Sequence, residues 1–169
     1  MRSKISILYS WFVRSFTYFL PNLPPLMRFR GFLYSLFMDS VGKDFQVHSS
    51  VLIVNLSGIS IGNNVYIGPN TVIISDNMYI GNEVLIGPNC VLVSQNHTKI
   101  NQSFRFGPSD KGCIVIEENC WISSHCTISK DSKLPKGSVL GANSFLNKKF
   151  EVANAFYCGV PAVYKSKYE

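Results

Sequence analysis

Aliphatic residues return every six positions along most of this chain, a spacing too long for an amphipathic helix and too strict for a strand read two residues at a time. Ile61, Ile67 and Ile73 are followed, after one slip to seven, by Ile80, Ile86 and Leu92, and then by Ile116, Ile122, Ile128, Leu134, Leu140 and Leu146. Self-similarity at a fixed spacing marks a solenoid, in which each repeat buries its apolar side only by stacking on the next. Each hexad therefore reads as a short strand plus a turn. Position one faces inward. Position two carries Gly62, Gly68, Gly81, Gly87 and Gly141, expected to relax the turn backbone. Position five shares the narrow interior and is small: Val65, Thr71, Val84, Cys90, Cys120, Cys126, Ser138 and Ser144. Three hexads per turn predict coils of about eighteen residues around a triangular prism, and about five coils, the first of them (Val41, Val47, Ile53) irregular.

Residues 5–20 and 26–38 lie outside this repeat and predict two apolar helices, parted by PNLPP, whose prolines stop the first and start the second. The first is too short to span a bilayer, carries Arg14, and lacks the small-residue cleavage site of a signal peptide. Two compatible roles follow. The pair caps the open end of the solenoid. It also suits an interfacial anchor, with Arg2, Lys4, Arg14, Arg28 and Arg30 toward anionic headgroups and Trp11, Phe12, Phe16 and Phe19 in the acyl boundary. The chain thus divides into a helical segment (1–40), a β-helix (41–160) interrupted by a loop at 98–113, and a tail (161–169).

With 169 residues and 46% hydrophobic content, this is one domain plus an appended segment, able to bury a continuous core. The net charge of +6 points to an anionic partner. Its basic residues fall mostly in the first forty positions and at the C-terminus, with no nucleic-acid motif between, so coenzyme A phosphates or a membrane surface fit better than nucleic acid. Cys90, Cys120 and Cys126 occupy the interior position and read as reduced core thiols of a cytoplasmic protein, while Cys113 and Cys158 have no assignment. No CxxC pair supports zinc.

Histidine is the side chain best suited to accept a proton near neutrality, and the chain has three. His97 ends the last hexad before the interruption, in SQNHTK, and a loop beside a rigid wall is where acceptor binding and catalysis tend to reside. His48 and His125 fall within repeat turns and read as turn residues. The absence of an H-x4-H pair disfavours a three-histidine metal site.

QNH before a loop, then CWISSHCTI, SVLGANSFLNKK and YCGVPAVYK, together resemble the hexapeptide-repeat acyltransferases, within them the maltose, galactoside and xenobiotic O-acetyltransferases. In layout the chain is similar to bacterial acetyltransferases of capsular polysaccharide and lipopolysaccharide assembly. The resemblance covers roughly residues 41 to 165. It implies an all-β solenoid, a left-handed parallel β-helix whose hand crossover rules alone would have reversed, with an N-terminal helical segment and a short C-terminal helix. It also implies an acetyl-CoA-dependent O-acetyltransferase acting on a sugar hydroxyl in capsule, O-antigen or exopolysaccharide biosynthesis. Such an enzyme would be a homotrimer without a metal, in the cytoplasm or at the inner face of its membrane.

Carried over by position, His97 matches the catalytic base, and the N–H groups near Ser123 and Ser124 match the oxyanion donor. Trp121, Ser123, Ser124 and Ala142 match pantetheine contacts; Asn147, Lys148 and Lys165 match the nucleotide end. Asp76, Asn96, Phe104 and Arg105 are acceptor-side candidates, Asn96 being placed at a small interior position stacked on Asn77. Three departures stand out: Ser123 replaces the usual Gly of WIG, Val163 replaces a basic residue after GVPA, and the hexads degrade after Leu146. Amino-sugar N-acylation, serine O-acetylation and a non-catalytic scaffold remain as alternatives.

Overall fold

Strand and turn alternate along the hexads because each repeat position has one backbone job. In the computed structural model, which describes residues 2 to 168, position four takes a left-handed conformation at Asn64, Asn70, Glu83, Asn89, Asn119, His125, Asp131 and Asn143, with φ between 55° and 60°. Asn and Asp tolerate that region better than other residues with a side chain. Position-two glycines serve a different purpose from the one expected: Gly62 and Gly81 do not have positive φ. A β-carbon on Gly62 would instead lie 2.6 Å from the backbone nitrogen of Asn82 in the next coil, so glycine there permits close stacking.

The strands form three parallel faces. Face A holds β1 (Ser40–Val41), β4 (Ile59–Ile61), β7 (Met78–Ile80), β12 (Ile114–Ile116) and β15 (Ser132–Leu134). Face B holds β2 (Gln46–Val47), β5 (Tyr66–Ile67), β8 (Leu85–Ile86), β13 (Trp121–Ile122), β16 (Val139–Leu140) and β18 (Ala155–Cys158). Face C holds β3 (Leu52–Ile53), β6 (Val72–Ile74), β9 (Val91–Val93), β14 (Thr127–Ser129) and β17 (Phe145–Leu146). The register stacks like on like, with Ile67 opposite Ile86 and Ile86 opposite Ile122. The result is a left-handed parallel β-helix.

Every position-one aliphatic from Ile61 to Leu146 is at most 4% exposed. Burying each contributes roughly 1.5–3 kcal/mol relative to exposure. Position five does more than fill space. The hydroxyl of Thr71 donates to the carbonyl of Gly87 (3.0 Å), and the thiols of Cys90, Cys120 and Cys126 donate to Ser123 (3.0 Å), Pro135 (3.2 Å) and Gly141 (3.1 Å). Each donor thus reaches a position-two carbonyl of the next coil inside a wall that excludes water. Burial pushes the Cys120 thiol up to about 11, so it stays protonated.

The chain continues beyond five coils into a sixth, irregular turn. Lys149 bridges to Lys133 on face A, β18 pairs with β16 on face B, and Ala162 donates to the carbonyl of Phe145 on face C. Among the described residues no C-terminal helix forms. Val163–Lys167, expected as a tail, is β19, antiparallel to β18. The reason is local: Gly159 at φ 110° lets the chain turn back, and the extended partner β18 supplies a ladder that a helix would forfeit.

Helices α1 (Arg2–Thr17) and α2 (Pro24–Ser35) pack on the first coil. Arg30 is buried, not directed at headgroups: it donates to the carbonyls of Thr17 (3.1 Å), Leu20 (3.3 Å) and Val47 (2.6 Å). It thereby satisfies the C-terminal end of α1 and ties it to β2. Arg28 is held by Asp44, and the side chain of Arg2 lies outside the described set. Beneath α2, burial pushes the Tyr34 phenol up to about 12.

Candidate functional site

The repeat breaks at the corner between faces C and A. There β10 (Gln95–His97) and β11 (Ser109–Lys111) pair antiparallel, with His97 opposite Ser109, and carry a projecting arm. Two ion pairs brace it against the solenoid on either side. Lys111 meets Asp76 of the preceding coil, and Asp110 meets Lys130 of the following one. Neither Lys111, Asp110 nor Lys130 stood out in the sequence. The signal was available, since Lys130 and Asp131 put two opposite charges side by side in one turn.

His97 ends β10 with its side chain exposed. Asp76, expected to orient it or to touch an acceptor, is engaged by Lys111 instead. Asn96 is exposed opposite Asp110 and does not occupy the interior; Ser94 does, because the chain leaves the repeat one step earlier than the hexad count supposed. Phe104 and Arg105 lie exposed near the arm tip, Lys99 sitting 5.8 Å above the Phe104 ring and Arg105 5.5 Å from that of Phe106.

The remaining candidates fall into two rows. Trp121 is exposed on face B, and the Ser123–Ser124 turn after it forms the corner between faces B and C. Ala142 stands in the same turn position one coil later, where Asn143 donates to the carbonyl of Ser124 (3.0 Å). Ser123 N–H already donates to Leu140 (2.9 Å), which leaves Ser124 N–H as the oxyanion-donor candidate. Asn147 and Lys148 lie at the other edge of face C, on the corner that carries the arm two coils earlier. Lys148 leans on Phe150 (5.3 Å to the ring), and Lys165 is the extra residue of a β-bulge between Tyr164 and Ser166.

Face C therefore separates His97 from the Ser124–Ala142 row within one chain. Six residues of extended chain span at most about 20 Å. Of the other histidines, His125 holds a left-handed turn and His48 contacts the Ser50 hydroxyl (2.9 Å), as turn residues would. Among the described residues, no group of three His, Cys, Asp or Glu side chains is disposed to hold a metal.

No family model matches the chain. The Escherichia coli (strain K12) protein WcaF, whose name describes a colanic acid biosynthesis acetyltransferase, is 28% identical over 154 residues, covering 90% of this chain and 82% of its own. A galactoside acetyltransferase solved in complex with coenzyme A superposes with a TM-score of 0.79 at 26% identity, covering 98% of this chain and 82% of that one. The chain is similar to these acetyltransferases in sequence and in fold over nearly its whole length. A hexapeptide-repeat acetyltransferase from Vibrio cholerae O1 biovar eltor, solved with acetyl coenzyme A, shares the fold at 21% identity, with a TM-score of 0.83 over 98% of this chain and 89% of that one. In this chain the arm at the corner of faces C and A carries the candidate base, and the turns bordering face B carry the candidate cofactor contacts.

Proposed function

We propose that the protein transfers the acetyl group of acetyl-CoA to a sugar hydroxyl during assembly of a cell-surface polysaccharide. The observation that carries this reading is His97: an exposed imidazole on a strand pair braced from both sides, close to a flat face on which a cofactor can lie. A hydroxyl is a weak nucleophile at neutral pH. His97 accepts its proton as the oxygen attacks the thioester carbonyl, and the N–H of Ser124 meets the developing oxyanion. Collapse re-forms the carbonyl, breaks the C–S bond, and expels the CoA thiolate, which takes the proton back from the imidazolium. Trp121, Ser124 and Ala142 line the pantetheine; Asn147, Lys148 and Lys165 serve the nucleotide end as point charges.

Because face C stands between His97 and the Ser124–Ala142 row, the reading requires a second copy. Packing flat faces about a threefold axis brings His97 of one copy to the row of the next, and acetyl-CoA runs along the groove between them. The relatives named above support the donor, and WcaF supports a polysaccharide acceptor.

The test is release of CoA from acetyl-CoA with purified protein and a panel of mono-, di- and lipid-linked saccharides. His97→Ala is expected to lower acceptor-dependent turnover by about 10²- to 10⁴-fold while leaving acetyl-CoA binding intact. Turnover unchanged in that variant, or no acetyl-CoA binding by the native protein, overturns the reading, the second outcome in favour of a scaffold. Mixing His97→Ala with Ser124→Trp, each inactive alone, should restore activity toward about a quarter of native, the fraction of interfaces that pair an intact arm with an intact row on random exchange.

A further inference from the structure

Helix α1 is inside out. The side chains it turns toward the solenoid are Ser6, Ser10, Val13 and Thr17, spaced at three and four residues and all buried. Its hydroxyls satisfy the open edge of the first coil: Ser6 accepts from the N–H of Leu56 (2.7 Å), and Ser10 donates to the carbonyl of Ile53. The opposite face carries Leu8 (66% exposed), Trp11 (62%), Phe12 (57%) and Phe16 (64%), extended by Phe19 (87%) just beyond the helix. Soluble proteins seldom leave so many large apolar side chains contiguous in water, and such a patch marks an interaction surface.

Charge identifies what covers it. The first 38 residues contain five basic residues and no acidic one, Asp39 being the first. Arg30 and Arg28 are engaged internally, whereas Lys4 stands exposed at the flank of the apolar stripe. Arg14 has a buried Nε without a hydrogen-bond partner, and it borders a recess of about 270 Å³ with Ser15, Tyr18 and Phe19. A second copy docking here by a two-fold contact would set these cations against themselves, with no carboxylate on either helix to answer them.

We propose that the outward face of α1 lies in the interfacial layer of an anionic lipid bilayer. The helix is pinned parallel to the surface by its hydroxyl contacts, with the aromatic rings at the acyl boundary and Lys4 and Arg14 toward headgroup phosphates. At about 24 Å, 16 residues of helix are too short to cross, and among the described residues no helix is long and apolar enough to do so. The lipid contact does not depend on acetyl transfer, and either can fail while the other stands.

Flotation of the full-length protein with vesicles of phosphatidylglycerol and phosphatidylethanolamine, against vesicles of phosphatidylcholine alone, tests it. The protein is expected to float with the anionic vesicles and much less with the zwitterionic ones. Phe12→Ser/Phe16→Ser should lower the partition coefficient at least about tenfold, and Lys4→Glu severalfold at low salt with the difference vanishing at high salt. In a Trp121→Phe background, Trp11 emission should shift to the blue on binding. Absence of flotation by the native protein, or equal flotation of the double variant, overturns the proposal. So does a fall in the particle mass of the double variant in vesicle-free buffer, which would assign the stripe to contacts between copies.

Discussion

The hexads and α1 place the same kinds of residue in opposite ways. From Ile61 to Leu146 the solenoid turns every position-one aliphatic inward; α1 turns Ser6, Ser10 and Thr17 inward and Trp11, Phe12 and Phe16 out. Both follow from what the facing surface lacks. A stacked coil already has partners for its backbone groups, so only apolar side chains are missing from its interior. The edge of the first coil presents unpaired N–H and C=O groups, at Leu56 and Ile53, and the helix that covers it must bring hydrogen-bonding side chains. Which face of an element is buried depends on the partner as much as on hydrophobicity.

Substitutions sharpen that contrast. Ile122→Ala, in the interior, should cost about 2–5 kcal/mol by chemical denaturation, whereas Phe12→Ser, removing a larger apolar group from α1, should change stability by no more than about 0.5 kcal/mol. Equal losses would mean that the outward face of α1 is packed after all. Arg30→Met leaves the carbonyls of Leu20 and Val47 without the Arg30 donor, Thr17 keeping only the N–H of Leu20, and should cost about 3 kcal/mol, with hydrogen exchange rising first at the end of α1. Ser6→Ala strands the N–H of Leu56 and should cost about 1–2 kcal/mol; a neutral result would show that water replaces the hydroxyl.

Much of this was legible in the chain. The spacing of Ile61, Ile67 and Ile73 determines three faces, because one strand and one turn consume six residues whatever their detailed identity. The position-five cysteines were recognisable as interior residues, though not as donors to the next coil, since that depends on a carbonyl 15 or 33 residues away in the coil beyond the one being read. The glycines at position two were misread: spacing shows that a turn is near but not how closely the next coil passes. The arm was visible as an interruption at His97, yet its brace was not, because Asp76, Lys111, Asp110 and Lys130 are brought together by stacking and by an antiparallel ladder with no period of its own. The last turn escaped because its closure depends on Gly159 and on the antiparallel ladder of β18 with β19, neither of which follows the hexad period.

That final wrap makes the solenoid finite. A parallel coil ends with open strands on each of its three sides, and each is a template on which another copy could add. The segment from Lys149 to Ala162 lies across β15, β16 and β17 in turn. Beyond it β19, exposed along its whole length, runs the opposite way and carries Lys165 and Lys167. A parallel coil arriving at that end meets a strand of the wrong direction studded with positive charge, so growth into filaments is refused at the last rung.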